Sequence, residues 1–128
     1  MMNWTLEVVV LPVTDVDRAK SFYMDQAGFH LDHDVSPDPR MRVVQLTPPG
    51  SACSIVIGPD ARGAQPGSVK GLQLVVPDIE AARTELTQRG VEVSEVQRFG
   101  EMDGGAFVYF SDPDGNGWAA QEIRARAG

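Results

Sequence analysis

Short apolar runs along this chain alternate with stretches whose apolar residues recur at helical spacing. Leu6–Val13 is a valine-rich run of the kind that forms a strand buried on both faces. After it, Val16, Ala19, Phe22 and Tyr23 share one face of a helix predicted over 16–27. Asp15 stands where a side-chain oxygen can cap the free N–H groups of that helix, and Gly28 where a left-handed residue can end it. The pattern then returns. Leu72–Val76 is a second apolar run and Asp78 a second cap. Ile79, Ala82 and Leu86 form a second apolar face, predicting a helix over 79–89, and Gly90 is a second stop. With Asp15 set on Asp78, Val13 falls on Val76, Val16 on Ile79, Asp17 on Glu80 and Ala19 on Ala82. Two copies are too few for a solenoid and predict a duplicated module that closes on itself.

The rest of each module reads as strands. Phe29–His33 and Val91–Val96 are extended segments that follow the two helices. Ser36–Arg40 carries two prolines and is expected to be a loop. Met41–Thr47 and Ala52–Gly58 form a hairpin about Pro48-Pro49-Gly50-Ser51. Arg98–Gly105, RFGEMDGG, is a polar glycine-rich loop placed to act as a flap. Ala106–Ser111 and Trp118–Arg124 pair about Asp112-Pro113-Asp114-Gly115-Asn116-Gly117. The order is βαβββ, twice. The fold class is α+β, in a single domain: module one over 5–58, a Gly/Pro-rich linker over 59–70 and module two over 71–124.

Composition narrows the partners. A net charge of −7 at pH 7 repels a phosphate backbone, so nucleic acid is not expected. No apolar run is long enough to span a bilayer, and MMNWTLE lacks the basic and apolar segments of a secretory signal. The single cysteine, Cys53, fits a reducing compartment, so a cytoplasmic location is expected. In a strand beside Ser54, Cys53 reads as a small buried hydrophobe.

The segments FYMDQAGF after VTDVDRA, and FSDPDGNGWAAQEI near the end, resemble the vicinal oxygen chelate superfamily. That group includes glyoxalase I, extradiol dioxygenases, fosfomycin-resistance enzymes and bleomycin-resistance proteins. The likeness runs from Leu6 to Ile123. It implies two modules lying edge to edge, their sheets curling into one cup-shaped mixed sheet that holds a ligand, and a homodimer, which unpaired strand edges also favour. In metal-using relatives, four strand positions hold His and Glu ligands. Carried over one at a time, they fall here on Val8, Ser54, Gly71 and Ala119. These offer none of the imidazole, thiolate or carboxylate donors that a divalent ion needs. No metal and no cofactor are therefore expected.

Other residues are poor substitutes. His30 and His33 are the only histidines, and a spacing of three puts them on opposite faces of a regular strand. Glu122 could reach the cup only if a bulge shifted its register; otherwise Gln121 points in. Glu101 and Asp103 lie in the flap, and turn geometry accounts for Asp112 and Asp114. Alternation from the ligand positions gives the cup lining: Val8, Val10, Ser54 and Val56 from module one, and Gln73, Ala119 and Gln121 from module two. Gln45, Phe107 and Tyr109 join them. A mostly apolar cup with a few amides and hydroxyls suits an apolar or aromatic small molecule, as in a drug-sequestering protein of the bleomycin-resistance kind. The alternatives are a lyase, epimerase or dioxygenase with a relocated metal, built on Glu122, His30 and the flap acids, or a cup filled by its own side chains.

Overall fold

The computed structural model describes residues 1–58 and 63–126; residues 59–62 of the expected linker and 127–128 of the tail lie outside them. Strand β1 (Val8–Pro12) leads into helix α1 (Val16–Ser21), which widens into a π turn over Phe22–Gln26. Then come β2 (His30–Asp38), β3 (Met41–Thr47) and β4 (Ser54–Gly58). Module two repeats the order with β5 (Leu72–Val76), α2 (Ile79–Gln88), β6 (Gln97–Arg98), β7 (Ala106–Ser111) and β8 (Gly117–Glu122). Each module makes its own curled four-stranded mixed sheet, in the order β1-β4-β3-β2 and β5-β8-β7-β6. In both, the first and last strands of the module are parallel and the remaining pairs antiparallel.

The two helices start and stop as the sequence predicts. Asp15 Oδ1 accepts from the Arg18 amide at 3.1 Å, and Asp78 Oδ1 from the Ala81 amide at 3.0 Å. Gly28 and Gly90 take φ of 78° and 85°, the left-handed region in which a Cβ would be strained.

Other expectations change. Ser36–Asp38 is not a loop: β2 runs through Pro37 to Asp38, and a register shift between Val35 and Asp38 absorbs the prolines. Val91–Val96 forms no regular ladder. Val91 is buried and Val93 packs on the core, while Ser94 alone bonds to the Tyr109 backbone; the paired strand is only Gln97–Arg98. Cys53 precedes β4 rather than lying in it and is only half-buried.

The core lies between the modules. Leu11, Val44, Leu46, Ile55 and Ile57 from the helix side of the first sheet share one buried cluster with Phe110 and Trp118 from the second. Tyr23 and Phe29 stand between them, their rings 5.9 and 5.5 Å from Trp118. Each such side chain contributes roughly 1.5–3 kcal/mol by leaving water.

A polar network threads this core. The Tyr23 hydroxyl donates to Asp112 Oδ2 at 2.8 Å and accepts from Trp118 Nε1 at 2.9 Å. Burial, and then the adjacent Asp112 carboxylate, push the Tyr23 phenol far above its usual range. Asn116 Nδ2 donates to Asp112 Oδ2 at 2.8 Å and to the Pro12 carbonyl at 3.0 Å, while its Oδ1 accepts from the Val69 amide. Asp114 Oδ1 accepts from the Thr14 amide and hydroxyl and from Arg18. The DPDGN turn is thus more than a hairpin: its side chains fasten module two to the β1–α1 corner of module one. Because the helix sides join in this way, the opposite faces of the two sheets look outward.

Candidate functional site

Strand register decides which residues share those outward faces. Val8 lies opposite Ser54, Val10 opposite Val56, and Val56 opposite Gln45, so these five share the open face of the first sheet. Gln73 and Tyr109 both lie opposite Ala119, and Phe107 lies opposite Gln121, so these five share the open face of the second. Their strand neighbours Leu11, Ile55, Val108, Trp118 and Ala120 are the buried helix-side residues. The structure brings each set of five together. It does not bring the two sets together within one chain: among the described residues no hydrogen bond or ring contact joins them, and the cavities at Tyr109 and at Val10 are separate. Both faces remain open, with Val10, Val75 and Tyr109 exposed at 40, 39 and 42%.

The two faces have different chemistry. On the second sheet, Phe107 and Tyr109 lie parallel, 3° apart with centroids at 6.2 Å, and Phe99 meets Phe107 edge-on at 5.8 Å. Beside them Gln73 Nε2 donates to Gln121 Oε1 at 2.6 Å, and Gln121 Nε2 donates to the Gly104 carbonyl at 2.7 Å. Gln121 therefore ties the glycine-rich flap to the sheet. Stacked rings next to amides offer a flat apolar molecule both a platform and hydrogen bonds.

On the first sheet the polar groups are hydroxyls, a carboxylate, the Gln45 amide and two imidazoles. Thr47 donates its hydroxyl to Asp32 Oδ2 and lies 2.5 Å from Ser54 Oγ. Sequence reasoning missed Thr47 and Asp32. Alternation from Gln45 would have found Thr47, but Asp32 sits at a register shift between Leu31 and His33 that leaves no mark in the sequence. The same bulge overturns the expectation for the histidines. His30 lies opposite Thr47 and His33 opposite Gln45, so both belong to the open face.

Two of the acids proposed for a relocated metal have other work. Glu122 Oε2 accepts from the Ile79 amide at 2.9 Å, so this side chain lies on the helix side and caps α2. Asp103 accepts from the Arg124 and Ala125 amides, bonds that hold its carboxyl below the usual carboxylate range. Glu101 is exposed on the flap. Among the described residues, no three His, Cys, Asp or Glu side chains are grouped to hold an ion.

Comparison with known proteins now adds to this geometry. Residues 5–120 match the glyoxalase/bleomycin resistance protein/dioxygenase superfamily. The chain belongs to that superfamily. TnmS3, an antibiotic-binding protein from Streptomyces sp. CB03234, has a crystal structure similar to this fold, with a TM-score of 0.82. It is 32% identical, and the match covers 96% of this chain and 98% of that one. A glyoxalase/bleomycin resistance protein from the same Streptomyces has a TM-score of 0.78 and 33% identity, over 91% and 99% of the two chains. The uncharacterized protein YetH of Bacillus subtilis (strain 168) is 28% identical over 115 residues, which are 89% of this chain and 94% of YetH.

The superfamily's metal chemistry does not fit these residues. Val8 and Ser54 are paired across the parallel strands, as the ligand positions should be, but the donors are an alkyl group and a hydroxyl already bonded to Thr47. The motif-spacing expectation of Gly71 for the fourth position is corrected by the register: Gly71 precedes β5 and Gln73 lies opposite Ala119, so this pair offers a methyl group and an amide already bonded to Gln121, still without imidazole, thiolate or carboxylate.

Proposed function

We propose that this chain sequesters an aromatic, antibiotic-like small molecule without metal or cofactor, in a cup that two copies complete together. The observation that carries the reading is the Phe107–Tyr109 stack beside the Gln73–Gln121 pair, on a face that one chain leaves open. The 32% identity to an antibiotic-binding protein over nearly the whole chain supports it. The outward direction of both open faces supports a copy number of two. A closed cup needs the first sheet of one protomer against the second sheet of its partner, which makes a homodimer with two equivalent cups. Trp4 and Leu6, 87 and 70% exposed on the N-terminal arm, are apolar surface for the same contact. The lone cysteine fits work in the cytoplasm, and no described helix is long and apolar enough to cross a membrane.

The test is a thermal-shift screen of aromatic and antibiotic-like compounds, followed by calorimetry on hits. Replacing Gln121 with Leu should leave the fold intact and weaken a hit about tenfold, or about 1.4 kcal/mol. Binding that is equally tight to Gln73→Leu, Gln121→Leu and the parent would remove these amides from the site. A cup that takes no compound would favour the filled-core alternative.

A further inference from the structure

We propose that Asp32, Thr47 and Ser54 form a one-way hydrogen-bond relay, so that the cup selects aromatic ligands bearing an N–H or O–H donor. This rests on the small-molecule reading above and names the ligand class it takes.

The direction follows from counting protons. A carboxylate accepts and cannot donate, so the bond between Asp32 and Thr47 uses the one hydroxyl proton of Thr47. Thr47 Oγ1 has then only lone pairs left. The contact of 2.5 Å to Ser54 Oγ, in which geometry alone lets either atom donate, must carry the Ser54 proton. Ser54 is left with unused lone pairs and no proton to give. At the far end of the relay His30 Nε2 is 3.8 Å from Asp32 Oδ1, beyond hydrogen-bond reach, so the Thr47 hydroxyl is the side-chain hydrogen-bond donor to Asp32.

The relay also sits where a ligand would meet it. Ser54 lies on the open face between Val8 and Val56, at the floor of that face and only 5% exposed, with Gln45 and the histidines farther along the same face. A ligand donor pointed there gains a partner, whereas a ligand acceptor faces the lone pairs of Ser54 and is left unpaired, the costlier outcome in a dry site. The amides of the second sheet impose no such direction, because each carries both a donor and an acceptor. Discrimination by hydrogen-bond sign therefore comes from the Ser54 end of the relay, since Gln45 and the histidines of the same face, like the second sheet's amides, offer both signs.

The test uses two probes of the same shape: indole, whose only polar group is a donor N–H, and benzofuran, whose only polar atom is an acceptor oxygen. Titrations followed by NMR on the intact chain should show indole binding about tenfold more tightly than benzofuran. Asp32→Asn keeps the shape but lets the amide donate to Thr47, Thr47 donate to Ser54, and Ser54 donate outward. It should erase or reverse the preference while the melting curve stays near the parent's. Ser54→Ala removes the end of the relay and should also erase it, so the claim survives a poorly folded Asp32→Asn. Equal binding of both probes to the parent, or an unchanged ratio in either folded variant, overturns the relay alone. Binding of neither probe to the parent overturns the relay together with the aromatic-cup reading.

Discussion

The two modules agree on their helix sides and differ on their open faces. Asp15 and Asp78 cap their helices with the same bond, Gly28 and Gly90 end the helix segments in the same left-handed conformation, and the sheets share one strand order. On the open side the first sheet carries Val8, Val10, Val56 and a hydroxyl–carboxylate chain, while the second carries stacked rings and paired amides. The helix sides meet each other and must fit, so a change there is felt by both modules. The open faces do not meet each other within one chain, and in the proposed function their residues answer to a ligand or a partner instead. The same split explains the DPDGN turn, whose Asp112 and Asn116 serve the shared junction and not the site.

The sharpest way to break the comparison is to truncate one aromatic on each side of the second sheet. Trp118→Ala removes a buried ring that touches Tyr23, Phe29 and Phe110, and it leaves the Tyr23 hydroxyl without a donor. It should cost about 3–5 kcal/mol in a urea melt. Tyr109→Ala, on the open face and 42% exposed, should cost far less stability and show its effect on ligand binding. Equal losses in the two variants would mean that the open face is core after all.

A smaller effect sharpens the same point. Asp15→Ala and Asp78→Ala each remove one cap bond from matching corners of the modules, and each should cost about 1 kcal/mol. Asp15 should be slightly the more sensitive, because its helix also receives Asp114 from module two through Thr14 and Arg18. Denaturant melts of the two variants check this. A loss at only one of the two sites would show that the modules no longer share the design of their corners.

How much of this was legible in the sequence follows from what each feature depends on. Caps, glycine stops and the parity of β1, β4 and β5 rest on local chemistry and a period of two, and Val8, Ser54 and Gln73 could be assigned to their faces from these alone, whereas the choice between Gln121 and Glu122 needed the observed register of β8. What was hidden depends on long-range pairing. The bulge at Asp32 turned both histidines to one face and placed a carboxylate beside Thr47. Pro37 was absorbed by a register shift that no local rule foretold, and Glu122 found its partner in the backbone of α2, 43 residues away. Motif spacing carried the family ligand positions to Val8 and Ser54, which the register pairs, but to Gly71 where the register sets Gln73 opposite Ala119. That the two halves of the lining turn away from each other within one chain could not be read in this way, because it depends on how the modules pack.

The central claim is that the cup joins the first sheet of one protomer to the second sheet of another, and complementation between blocked chains tests it directly. Val56→Phe fills the first open face and Ala119→Phe the second; sedimentation should show that each variant remains a dimer. Each alone should bind no aromatic probe, since every cup in its dimer contains one blocked face. When the two are unfolded, mixed and refolded together, each mixed dimer pairs both blocked faces in one cup and leaves the other cup clean. The account predicts that the mixture regains about a quarter of the parent's binding capacity, with the parent's affinity. A mixture that exchanges subunits and still binds nothing would place the cup within a single chain and contradict the account.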